Sequence, residues 1–227
     1  LITNITGNFI GNYTHTIETS EYSYSSSSGA IENYGTIGNI RGNFIENYVN
    51  SKNAYGGAIY NGGIIYNIIG DFTGNYVNSN NINSWSGAIY NRGTIYNIIG
   101  NFIKNYTIGA RNGAISNGGT IGNITGDFIG NYVNSSFEVY GGAIYNSGTI
   151  GNIMGDFIGN YVKSNSRAYG GSIYNSGTIG NITGDFIGNY AKSETGEAYG
   201  GEIYNDYEGT IVNIIGDFIG NYINSKD

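Results

Sequence analysis

Apolar residues fall in fixed columns along this chain. An Ile returns at 31, 59, 89, 115, 144, 173 and 203, and a second at 37, 65, 95, 121, 150, 179 and 211. The copies that carry them begin at Ser28, Gly56, Ser86, Asn112, Gly141, Gly170 and Gly200, with spacings of 28, 30, 26, 29, 29 and 30 residues. Self-similarity at such a period marks a solenoid, in which each unit buries its apolar face against its neighbours. Around Ile59 the flanking positions accept polar residues, since Ala58 aligns with Ser172 and Glu202, and Tyr60 with Glu32 and Ser116. A constant apolar residue between variable ones is the period-two pattern of a half-buried strand, so Ile points in and the Ala and Tyr positions point out.

A second strand ends at a constant Asn: Asn39, Asn67, Asn97, Asn123, Asn152, Asn181 and Asn213. A third begins at the following Ile, passes a constant Gly, and reaches a constant Phe: Phe44, Phe72, Phe102, Phe128, Phe157, Phe186 and Phe218, with Phe9 in the partial first copy. Ile, Gly and Phe are expected on its inner face. Two apolar residues flanking Asn39 would break the alternation, so the chain is expected to turn there; Asn tolerates left-handed backbone and bonds it locally. Corners at Asn33, Asn39 and Asn47 then close one coil of three short strands.

The fold class predicted is all-β, a single-stranded right-handed parallel β-helix of about 29 residues per coil and seven to eight coils, forming one domain over 1–227 with a partial coil at 1–27. Identical residues would stack about 4.8 Å apart, with the Asn columns as hydrogen-bonded ladders and the Ile and Phe columns as core, giving a rod roughly 35–40 Å long. Short segments rich in β-branched and aromatic residues, and punctuated by Gly, exclude helices. Variable stretches at 14–27, 50–55, 78–85, 107–111, 134–140, 163–169 and 192–199 are expected to project from one corner as charged loops, on the face where solenoids often bind.

Composition narrows the function. The chain has 40 Gly and no Pro, but 39% apolar and 15% aromatic residues supply ample surface to bury, so disorder is not expected. With no Cys, disulfides and thiolate sites are excluded. A net charge of −7 with nine scattered basic residues argues against nucleic acid. No run of 18 apolar residues predicts a transmembrane helix. Leu1 opens inside a repeat, so the chain reads as a processed or excised piece, and neither end shows a helical cap.

Gly56-Gly-Ala-Ile59 and Gly141-Gly-Ala-Ile144 alternate with Phe44-Ile-Glu-Asn47, Phe72-Thr-Gly-Asn75, Phe128-Ile-Gly-Asn131, Phe157-Ile-Gly-Asn160 and Phe186-Ile-Gly-Asn189. This alternation resembles the repeat of chlamydial-type polymorphic outer-membrane proteins, although Ser172 and Glu202 replace the Ala in the last two copies. The resemblance implies a β-helical passenger of an autotransporter-like, bacterial surface adhesin.

Three columns carry candidate chemistry. Asp71, Asp127, Asp156, Asp185 and Asp217 would repel one another when stacked, and calcium would relieve them through oxygen ligands. Evenly spread carboxylates do not make a catalytic locus, so no catalytic residue and no other cofactor is expected, and His15 reads as a surface residue. Tyr60, Tyr90, Tyr145, Tyr174 and Tyr204 form an outward aromatic column, either a stacking ladder or a patch for a host or matrix glycan or protein. The column of Tyr48, Tyr76, Tyr106, Tyr132, Tyr161, Tyr190 and Tyr222 reads as corner packing. The function expected is a non-enzymatic, secreted or surface-exposed structural and adhesive solenoid that stacks on itself head to tail. Its rivals are a non-polymerising, membrane-anchored passenger and a polysaccharide-binding or -degrading β-helix.

Overall fold

In the computed structural model, which describes residues 1–16, 25–79, 81 and 84–226, the chain is an all-β solenoid of parallel strands. Parts of two expected variable stretches, at 17–24, 80, 82 and 83, and the final residue lie outside the described residues. Three strands per coil surround the main core, as in Ile31–Asn33, Thr36–Arg41 and Phe44–Ile45. Each pairs with its counterpart one copy away, in a register that places Ile37 beside Ile65, Asn39 beside Asn67 and Phe44 beside Phe72. The core is therefore a stack of identical layers, with Ile37, Ile40, Phe44 and Ile59 and their equivalents buried in the inner coils. The Phe rings run through it face to face, from 4.5 Å between Phe9 and Phe44 to 4.9 Å between Phe186 and Phe218.

Three details depart from the sequence reading. The chain does not turn at Asn39: Thr36–Arg41 is one strand, and Gly38 and Asn39 both face away from the core between buried Ile37 and Ile40. A two-residue outward step keeps both Ile inside without a corner. The bend comes at the constant Gly, which is not an inner-face residue. Gly42 and its equivalents hold φ between +141° and +157°. From Gly42 onward a Cβ there would lie 1.9–2.1 Å from the carbonyl oxygen of the Gly one coil before, as Gly42 meets Gly7 and Gly70 meets Gly42, so no other residue fits. Third, the Ala positions point in. Ala58, Ala88, Ala114 and Ala143 are fully buried, because the preceding Gly pair turns the chain around them before the strand begins.

Beyond Asn47 a further short strand, Tyr48–Asn50, leads into the variable segment. These segments are not simple projecting loops. Val139–Tyr140, Ala168–Tyr169 and Ala198–Tyr199 form a small parallel sheet of their own. Beneath it Val133, Val139, Val162, Ala168 and Ala191 make a second core, and Val49, Ala54, Val77 and Ala110 a third. Charges on this face pair between coils, Arg167 with Glu138 at 3.1 Å and Lys163 with Glu194 at 3.4 Å. Such exposed pairs add little stability.

Two Asn columns are buried inside corners. Asn33 Nδ2 donates to Asn61 Oδ1 at 2.7 Å, and the pattern repeats to Asn205. At the other corner Asn47 donates from both its backbone N–H and Nδ2 to Asn75 Oδ1, at 3.0 and 2.9 Å, while Asn75 Nδ2 donates to the Phe44 carbonyl. The Asn39 column is a ladder too, but on the outer surface and with the opposite sense: Asn67 Nδ2 donates back to Asn39 Oδ1 at 2.9 Å. Among the described residues no helix is long and apolar enough to cross a membrane.

Candidate functional site

The Asp column has a structural occupation. Asp127 Oδ1 accepts the backbone N–H of Asp156 at 2.9 Å, Asp156 Oδ1 that of Asp185 at 2.8 Å, and Asp185 Oδ1 that of Asp217 at 2.8 Å. Asn43 and Asn101 serve in the same way, accepting from Asp71 and Asp127. Asn and Asp exchange along this column because each offers an oxygen to the amide of the next coil. No group of three or more His, Asp or Glu placed to hold a metal ion occurs among the described residues. His15 is exposed at the end of strand Tyr13–His15.

The Tyr48 column is the more regular of two aromatic walls. Its rings lie 4.8–5.2 Å apart and within 10° of parallel from Tyr13 to Tyr222. With each face covered by the next ring, only edges and hydroxyls reach solvent. Burial pushes the Tyr161 hydroxyl up to about 12 and raises Tyr76, Tyr106, Tyr132 and Tyr190 as well. The sequence reading as packing describes the rings, but their exposed edges also wall a groove of about 660 Å³. Its floor is a column of left-handed residues, Gly11, Gly74 and Gly130 at φ of 61–63°, interrupted by Glu46 and Lys104 at 54° and 52°. Non-Gly residues are strained there, and nothing in the sequence pattern alone signalled the groove.

The second wall contains the expected Tyr60 column, but it is not an outward patch. Tyr60, Tyr90, Tyr145 and Tyr204 are half-buried and Tyr174 is buried. They are covered by a row that the sequence reading missed: Tyr55, Trp85, Tyr140, Tyr169 and Tyr199, each the residue just before a copy begins. Tyr140 meets Tyr174 edge-on at 4.8 Å and Tyr169 meets Tyr204 at 5.0 Å. Burial, followed by a hydrogen bond donated to Asp206 Oδ2 at 2.6 Å, raises the Tyr174 hydroxyl far above its ordinary value. Burial pushes Tyr90 up to about 12.

Inside the rod this wall has a gap. Where the 26-residue copy meets the next, Arg111 and Ser116 stand in place of the aromatic residue in both rows, as Ser27 and Glu32 do at the first copy. Trp85 leans across the vacancy, 6.1 Å from Tyr90 and 6.0 Å from Tyr145, looser than any pair in the Tyr48 ladder. Beside it opens a pocket of about 580 Å³.

Comparison with known protein families, curated proteins and solved structures finds no match for this chain. Its function is argued from geometry.

Proposed function

We propose that this chain is a non-enzymatic, extracellular structural and adhesive β-solenoid that stacks head to tail on copies of itself. The observation that carries the reading is the polarity of the Asn47 ladder. Every coil from Asn12 onward donates its backbone N–H and Nδ2 to the Asn oxygen of the following coil, up to the acceptor Asn221. Each rung joins unlike groups, an Asn oxygen on one side and N–H donors on the other, so coils that meet along the axis in this sense continue the ladder from chain to chain. A contact between unlike faces is heterologous and propagates into a filament.

The repetition of each chemical column with one role per coil supports a scaffold over a catalyst. The resemblance to chlamydial-type outer-membrane repeats supports a bacterial surface setting and the adhesive part. Electron microscopy of the purified chain tests the stacking: unbranched filaments whose coil spacing runs unbroken through the junctions are expected, and discrete short rods at all concentrations would overturn it.

A further inference from the structure

We propose that the gap where the 26-residue copy meets the next is a binding pocket for an acidic sugar. The inference deepens the adhesive part of the function proposed above and rests on it. An adhesive rod of identical layers has no preferred locus, and this junction is where the inner layers differ.

The pocket is lined by Asn53, Tyr55, Trp85, Tyr90, Arg92 and Ser147, over a floor at Gly118. Trp85 and the buried Ser116 depart from the repeat in ways that shape a site. Trp85 is the chain's one Trp. Ser116, fully buried beneath, holds the position of Tyr90 and Tyr145, its register partners on either side, and so leaves a ring's volume unfilled. Gly118 aligns with Arg92 and Ser147 and projects nothing, with Ser147 Oγ at 3.7 Å and the Asn91 carbonyl oxygen at 3.9 Å from where its Cβ would lie. At this junction the buried Asn112 Oδ1 and Arg111 Nε have no hydrogen-bond partner, as with the buried hydroxyls of Ser51, Ser86, Thr107 and Ser172 elsewhere, although Asn112 Nδ2 does donate to Ser116 Oγ at 3.1 Å. Buried polar atoms are nearly always satisfied, and elsewhere in this rod the Asn columns satisfy theirs by stacking.

Charge and shape define the ligand. In a chain of net charge −7 the pocket's single charged lining residue is a cation, Arg92, and no carboxylate lies within ion-pair distance of it among the described residues. Arg presents a fork that matches a carboxylate in two parallel hydrogen bonds. Trp85 and Tyr55 offer flat apolar surface for the C–H face of a pyranose, with Asn53 and Ser147 for its hydroxyls. The volume lies within the range of small-molecule sites, about 300–1,000 Å³. A ligand with a flat apolar face, several hydroxyls and one carboxylate is a uronic-acid-type sugar. The Tyr48 groove, by contrast, exposes no ring face and carries both a cation, Lys104, and an anion, Glu46, on its floor.

Because Trp85 is the only Trp, its fluorescence reads this site alone. The full chain is titrated with methyl β-glucuronide, with the uncharged methyl β-glucoside, and with acetate. The expected result is a saturable change with the glucuronide, an apparent affinity at least about tenfold weaker for the glucoside, and no saturable response to acetate, as loss of a charge-assisted pair requires. Arg92→Ala should weaken the glucuronide by a similar factor while circular dichroism stays unchanged, and Lys104→Ala, on the other groove, should bind as the parent does. Equal response to glucoside, equal response to acetate, or an unaltered Arg92→Ala titration would each overturn the proposal. Filaments without glucuronide binding would overturn this inference and leave the stacking intact; glucuronide binding by discrete rods would do the reverse.

Discussion

The two aromatic walls are built from the same residue on the same layers, yet they behave differently. The Tyr48 wall runs unbroken through every coil with rings within 10° of parallel. In the Tyr60 wall the angles range from 5° between Tyr145 and Tyr174 to 44° between Tyr60 and Tyr90, and two coils supply Glu32 and Ser116 instead of a ring. A wall that must match itself at every step tolerates one geometry. A wall covered by a second, variable row can lose a ring and leave usable space. Regularity marks what holds the rod together, and the break marks where the rod can receive something.

The largest test strikes the regular side. Asn131 Oδ1 accepts from Asn105 twice, and Asn131 Nδ2 donates to the Phe102 carbonyl and to Asn160 Oδ1. Asn131→Ala orphans several buried groups at once and should cost on the order of 4 kcal/mol in urea unfolding. The same change in the surface ladder, Asn123→Ala, should cost at most about 1 kcal/mol. Equal losses would show that the buried corner ladder is not what fixes the layers.

Alkaline titration touches both walls. Tyr90 and Tyr161 are each pushed up to about 12 by burial, whereas an unfolded Tyr ionises near 10. Raised hydroxyls bind their protons more tightly in the folded rod, so their stabilisation is complete below about pH 10 and is lost as the pH rises through about 12. Tyrosinate absorbance and circular dichroism should therefore change together in that window. Complete tyrosinate formation near pH 10, with no fraction held back toward pH 12, would contradict the burial of both walls.

Filling the gap sharpens the contrast. Ser116→Tyr places a ring where both register partners already carry one, so the fold should survive within about 1 kcal/mol. Trp85 should be displaced toward water, with red-shifted emission and no response to methyl β-glucuronide. A parent-like titration in this variant would place binding elsewhere. The smallest effect is a gain: Lys104→Gly removes a side chain held at φ of 52° and should raise stability by about 1 kcal/mol. No gain would mean that the left-handed column is not strained.

Much of the fold is written in the constant columns. Ile59, Ile37 and Phe44 alternate or recur in ways that only an inner face explains. The Asn39 corner is illegible for a physical reason: an Asn kept constant by a surface ladder looks the same, in one dimension, as an Asn kept constant by a turn. Ala58 misleads because Ser172 and Glu202 share its column, and the polar replacement suggests an outer face that the Gly-Gly turn does not provide. The candidate pocket was half visible. The short 26-residue spacing and Ser116 are in the sequence, as is the aromatic before each copy, but variable segment lengths hide the second row until the coils are stacked.

The most direct measurement follows both walls at once. In chain labelled with 3-fluorotyrosine, fluorine NMR during a methyl β-glucuronide titration should shift Tyr55 and Tyr90, which line the gap, and leave Tyr48, Tyr76, Tyr106 and Tyr132 unmoved. Shifts confined to those ladder tyrosines, or spread evenly along both walls, would contradict the division between a wall that holds the rod and a wall that binds.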